Sequence, residues 1–224
     1  MSMRSLMFLA ILAGAGALSA SPITVHNTGV DAFDVLQPVG SSTSYWTLTA
    51  EPGTATETLG SDPFRYYNIA YFADDAVSGW VSPTASGKAG AGGFYTYQMS
   101  FDLTGFDPAT AAISGIFGVD NDGAILLNGN VVASQGFVNF ASPTSFTINT
   151  GFLAGLNTIS VRMDNGGDPT AFRVEFLTAS ANSIPLVKES IPAVPEPGTG
   201  VLLTAGLAAI LFFGNRIRPF LPRV

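Results

Sequence analysis

The sequence predicts an all-β fold, a two-sheet sandwich held between an N-terminal signal helix and a single C-terminal transmembrane helix, and three observations predict its β character. Between residues 21 and 187 no stretch keeps a helical period over three turns, whereas short apolar runs punctuated by Gly, Pro, Asn and Asp recur throughout. Asn128-Gly129 stands between the apolar runs 124–127 and 131–132, and such a pair supplies the positive φ angles of a tight hairpin turn. Phe172, Val174 and Phe176 alternate with Arg173 and Glu175, the period of a strand with one face in a core and the other in water.

Taken in order, the chain begins with Arg4, an uncharged apolar stretch over 6–18 and the small residues Ala17-Leu18-Ser19-Ala20-Ser21. That is the anatomy of a secretory signal spanning 1–20, too short to cross a bilayer comfortably, with cleavage after Ala17, Ser19 or Ala20. The ectodomain follows over 21–187, with strands expected at 43–49, 65–72, 94–103, 112–119, 124–127, 131–133, 144–148, 157–163 and 171–178. Removing both ends leaves about 170 residues, room for one domain with a core. A Pro-rich linker over 188–197 leads to a 17-residue apolar run at 198–214 (GTGVLLTAGLAAILFFG) and a basic end over 215–224. As a helix the run is about 26 Å long, a marginal span of the hydrocarbon core. Arg216 and Arg218 beside it should stay cytoplasmic, which places the ectodomain across the membrane.

Composition narrows the function. Between residues 21 and 190 stand 15 acidic and five basic residues, a net charge of −10, and nucleic acid is excluded as a partner because phosphate requires a basic face. There is no cysteine, so thiol catalysis and disulfides have no material, and the single histidine, His26, lies within the first residues of the mature chain, which leaves a Ser/His/Asp triad almost none. The expectation is a non-enzyme.

Immediately before the apolar run stands Val194-Pro195-Glu196-Pro197-Gly198. The triplet Pro195, Glu196, Pro197, the apolar helix and the basic terminus, in that order at the C-terminus, resemble the PEP-CTERM sorting signal. The resemblance implies recognition by the membrane enzyme exosortase, cleavage near the triplet, and delivery to the cell surface or extracellular matrix after transient anchoring in the membrane. Both prolines suit that role, since they keep the backbone extended and outside the helix. The other reading of the same features is a tail anchor with a proline-rich linker.

A second resemblance covers roughly 100 residues of the ectodomain. The segments 95–103, Val119-Asp120-Asn121-Asp122-Gly123, Leu127-Asn128-Gly129, Gly155-Leu156-Asn157-Thr158-Ile159 and Asp164-Asn165-Gly166-Gly167, with Gly79-Trp80-Val81 upstream, are similar to the galactose-binding-like jelly roll of carbohydrate-binding modules. It implies a jelly-roll sandwich and extracellular polysaccharide as a partner; fold analogy does not name the sugar.

Sugar binding calls for an aromatic face flanked by polar groups, and Trp80, Tyr66 and Tyr71 are the candidates, with Tyr67 and Trp46 behind them. A binding module requires Trp46 or Trp80 exposed beside a polar cleft, whereas a purely structural or adhesive surface protein buries both. Asp120 and Asp122 offer hard oxygen ligands that could hold Ca²⁺, against the reading of 120–123 as a plain turn; the same contest at 164–168 favours the turn. Asp74 and Asp75 would point to opposite faces of a strand, so they read as a solvated loop rather than a glycosidase pair. Gly90 to Gly93 lacks the Lys-Ser/Thr of a phosphate loop and reads as a flexible lead into a strand.

Overall fold

In a computed structural model, which describes residues 20–55, 57–137, 140–185 and 207–208, the apolar runs pair into two antiparallel sheets. The strands are β1 (Ala20–Pro22), β2 (Thr47–Ala50), β3 (Phe64–Arg65), β4 (Val81–Ser82), β5 (Gly93–Asp102), β6 (Ala112–Asp120), β7 (Asp122–Leu127), β8 (Asn130–Gln135), β9 (Thr144–Ile148), β10 (Leu156–Asn165) and β11 (Ala171–Asn182). One sheet runs β3-β4-β11-β6-β9, with β1 also on β11; the other runs β2-β5-β10-β7-β8. The chain passes from the first sheet to the second at Asn121, between β6 and β7. The hydrophobic core lies between the sheets, where Tyr97, Met99, Ile125 and Val161 of one meet Phe117, Phe172 and Val174 of the other.

The hairpin forms as its sequence demands. Asn128 and Gly129 adopt φ of 49° and 82°, the left-handed pair that a two-residue turn between right-twisted strands requires. The Asn128 side chain then ties the turn to its surroundings, donating to the Gly151 carbonyl at 3.0 Å and accepting from the Thr158 amide at 2.9 Å.

Other elements depart from expectation. Of the segment 65–72 only Arg65, with Phe64 before it, pairs as a strand; Asn68 bends the rest, its side chain accepting from the Ala70 amide at 3.0 Å and its carbonyl from the Tyr71 amide at 3.0 Å. The strand expected at 43–49 pairs only from Thr47, the chain having turned at Tyr45, whose φ is 73°. The closing strand is longer than its alternating run and carries β1 at its far end, where Ala20 to Pro22 lie opposite Asn182 to Ser180.

The second face of β11 is not in water. Arg173 is 2% exposed and Glu175 9%, because residues 27–30 and 72–80 fold over that face. Burial there is tolerated because the charges find partners.

The sandwich lies in the unit Met1–Ile184; Pro185–Val224 forms a second unit. The signal segment up to residue 19, the Pro195-Glu196-Pro197 triplet, Arg216 and Arg218 lie outside the described residues, as does the apolar run 198–214 apart from the helical Leu207 and Ala208. Among the described residues no helix is long and apolar enough to cross a membrane.

Candidate functional site

The residues expected to stack on a sugar are occupied by the protein itself. Trp80 is 0% exposed: its indole nitrogen donates to the Phe72 carbonyl at 2.9 Å, and its ring lies 4.3 Å from that of Tyr71 and 4.9 Å from that of Phe72. Tyr71 is buried beside it, its ring also against Phe140 at 5.5 Å, and Tyr66, half-buried, packs edge-on to Tyr71 at 6.1 Å. Trp46 is equally buried, edge-on to Phe172 at 5.7 Å. The stacking role expected of Trp80 and Tyr71 is therefore corrected to core packing, because their faces are covered by neighbouring rings. Tyr67 is exposed and lies outside this cluster.

Asp120 faces inward with them. Its Oδ2 accepts from the Tyr71 hydroxyl at 2.8 Å, while its buried Oδ1 has no hydrogen-bond partner. Burial raises the Asp120 carboxyl above the ordinary carboxylate range, with the Tyr71 hydrogen bond opposing it, and burial raises the Tyr71 phenol as well. Asp122 opens β7 opposite Asp164, and Asn121 Oδ1 accepts from the Gly166 amide at 2.6 Å, so the two turn motifs brace each other. Among the described residues no group of three or more His, Cys, Asp or Glu side chains could hold a metal ion.

Asp74 is half-buried and Asp75 exposed, and both are hydrogen-bonded. Asp74 accepts from Arg65 at 3.0 Å and from the Trp80 amide at 2.9 Å; Asp75 accepts from the Val77 and Ser78 amides, each at 2.8 Å, and from Arg173 at 2.9 Å. Arg173 also reaches Glu175 Oε2 at 3.0 Å, Ser78 Oγ at 2.7 Å and the Ala73 carbonyl, and stands 5.0 Å over the Phe72 ring. Burial of Asp75 opposes ionisation, but bonds from Glu175 and the two amides, with Arg173, lower its carboxyl on balance; burial and then Asp75 raise that of Glu175. Two arginines thus pin the 72–80 segment: the loop is exposed at Asp75, as expected of a solvated loop, but its carboxylates are held by Arg65 and Arg173, whose own side chains are buried. The glycine-rich lead into β5 is also tied down, since the Ala91 carbonyl accepts from Asn165 Nδ2 at 2.8 Å.

A polar groove opens elsewhere, where the loop before β3 meets the end of β4. Glu57, Thr58, Ser61, Phe64, Pro83 and Thr84 line a volume of about 260 Å³. Glu57 is joined to the interior by Tyr95, whose hydroxyl lies 3.4 Å from Glu57 Oε2 and donates to the Ala89 carbonyl at 2.9 Å. Two residues on, and so on the same face of β5, Tyr97 is fully buried with a hydroxyl that has no partner; Glu51 Oε2 is likewise buried and unpartnered. Burial first, then Glu57, pushes the Tyr95 phenol up to about 12, and the same two causes in the same order raise Tyr97, with Glu51 adding to both.

None of these groove residues was singled out from the sequence. The signal available was a run of carboxylates and hydroxyls over 51–62, but what brings Thr84 opposite Glu57 is the pairing of β3 with β4, two residues each, which no periodicity announces. Comparison of the chain with models of known protein families, with curated proteins and with solved structures finds no match in any of the three.

Proposed function

We propose that this is an exported, non-catalytic surface or extracellular-matrix protein, handed to exosortase through its C-terminal tail, with a galactose-binding-like jelly-roll ectodomain that engages polysaccharide. The observation that carries the reading is the ordered trio at the C-terminus: Pro195-Glu196-Pro197, the apolar run 198–214, and Arg216 with Arg218. Two antiparallel sheets and the turn motifs at 120–123, 128–129 and 164–167 support the jelly roll. The charged side chains support a non-catalytic role in another way: Arg65, Arg173, Asp74, Asp75 and Glu175 are spent on holding segment 72–80 against β11.

A second reading, a structural or adhesive surface protein without a discrete ligand site, is favoured by the burial of both Trp46 and Trp80. The groove at Glu57 favours the first. Both share the sorting step, which is tested by producing the full chain in a host with and without exosortase and measuring mass and membrane partition. Loss of the segment after about Pro195 only with the enzyme is the expected result. An intact, membrane-held chain in both hosts would replace sorting by tail anchoring.

A further inference from the structure

The two sheets are finished differently at their two sides. On one side the edge strands are closed. Residues 40–42 cover β3, where the Arg65 amide donates to the Ser41 carbonyl and the Gly40 amide to the Arg65 carbonyl, each at 2.8 Å, and Ser42 bridges to Phe64. Residues 60–61 cover β2, where the Leu48 amide donates to the Ser61 carbonyl at 2.9 Å and the Gly60 amide to the Leu48 carbonyl at 2.8 Å. On the other side β8 and β9 end their sheets, and among the described residues no backbone hydrogen bond reaches β8 except from β7, or β9 except from β6.

An edge strand turns alternate amides and carbonyls outward, and folded proteins guard such edges with Lys, Pro, other charges or a bulge. β8 is guarded by a bulge: Ile125 lies opposite Ala133 and Leu126 opposite Val131, which leaves Val132 extra. β9 (TSFTI) has no guard. It carries no charge and no proline, and its five residues lie against β6 without a break in register. In a domain with 15 acidic and five basic residues between 21 and 190, an uncharged edge is where two copies meet with least repulsion. The strand is also its own complement. Paired antiparallel with a second β9 about Phe146, it sets Phe146 opposite Phe146 and Thr144 opposite Ile148 on the inward face, and exposed Ser145 opposite exposed Thr147 on the outward face, hydroxyl against hydroxyl. A hydroxyl row already leads to that edge, since Thr178 and Ser114 are bonded at 2.7 Å and Thr147 lies opposite Ser114.

We infer that β9 pairs edge to edge with β9 of a second copy across a two-fold axis, joining the two β3-β4-β11-β6-β9 sheets into one. The pairing goes beyond the sorting and polysaccharide readings and needs neither. A five-residue edge buries less than the about 1,200 Å² of a durable interface, so the contact is weak in dilute solution and takes effect where chains are crowded on a surface or in a matrix.

The test is light scattering of the full chain in detergent over a concentration series up to about 1 mM, with amide chemical shifts to locate the contact. The wild type should pass from monomer to dimer, with concentration-dependent shifts centred on residues 144–148. S145E/T147E sets like charges opposite each other twice in the pairing and should weaken association at least tenfold, whereas S145K/T147E sets opposite charges there and should match or exceed the wild type. Both positions are exposed, so the remaining amide shifts of each monomer should be unchanged. A wild type that stays monomeric to about 1 mM, shifts centred on other residues, or equal association of all three chains, as self-association of the apolar run 198–214 would give, overturns the inference. Should S145E/T147E fold poorly, the wild-type shifts and the S145K/T147E chain still decide the outcome.

Discussion

Replacing Arg173 by methionine keeps much of the side-chain volume and removes the cation at the centre of the clamp. Arg173 is 2% exposed and serves Asp75 at 2.9 Å, Glu175 at 3.0 Å and Ser78 at 2.7 Å, as well as the Ala73 carbonyl. Taking one member out of a buried ion pair costs about 3–5 kcal/mol, because the carboxylate left behind stays desolvated. Asp75 is 40% exposed and recovers water, so its share is discounted and the lower end, about 3 kcal/mol, is expected. For a domain of this size that is a fall in Tm of roughly 6–12 °C. The pH dependence carries the sign. In the wild type the lowered Asp75 carboxyl adds stability above its ordinary value of 3.8 that is lost as pH falls through the folded value. The raised Glu175 carboxyl does the reverse, subtracting stability as pH climbs above its ordinary value of 4.5. Without Arg173 both carboxylates lose an interaction that favours their ionised form, so the loss should be largest at pH 7 and shrink towards about pH 4. Urea denaturation of R173M at both pH values measures it. A loss under about 1 kcal/mol at pH 7, or one that grows on acidification, would refute the clamp.

The remaining predictions follow from burial. Trp46 and Trp80, both 0% exposed, should resist fluorescence quenching by acrylamide in the folded chain, and ready quenching would return one of them to the surface. Asp120 ionises against burial with Oδ1 unpartnered, so D120N should raise stability at pH 7 by about 1 kcal/mol while keeping an acceptor for Tyr71. That advantage should close as pH falls to the ordinary carboxylate value of 3.8, where the unfolded chain also takes up its proton; a constant difference across thermal melts from pH 3 to pH 7 would contradict it.

Local chemistry and long-range chemistry divide this molecule cleanly. The hairpin at Asn128-Gly129 was legible because its cause is local: two residues able to adopt positive φ between two apolar runs. The all-β class was legible for the same reason, since the apolar period is a property of each strand alone. The reading of the tail likewise rests on residues 194–218 alone. What a strand faces is another matter. The alternation around Arg173 and Glu175 correctly indicated a strand and wrongly indicated water, because the cover over that face comes from residues 27–30 and 72–80, brought there by pairings the pattern does not encode. The same cause buried Trp80 and Tyr71 and turned the Asp74-Asp75 loop into a clamp. The Glu57 groove was invisible for the complementary reason: it is assembled from the loop before β3 and the end of β4, residues more than twenty apart that meet through two short strands. Sequence alone determined the β class and the hairpin turn at Asn128-Gly129, since those depend on neighbours along the chain. Tertiary structure alone decided which charges and rings are buried and which polar groups converge, since desolvation depends on what packs across space.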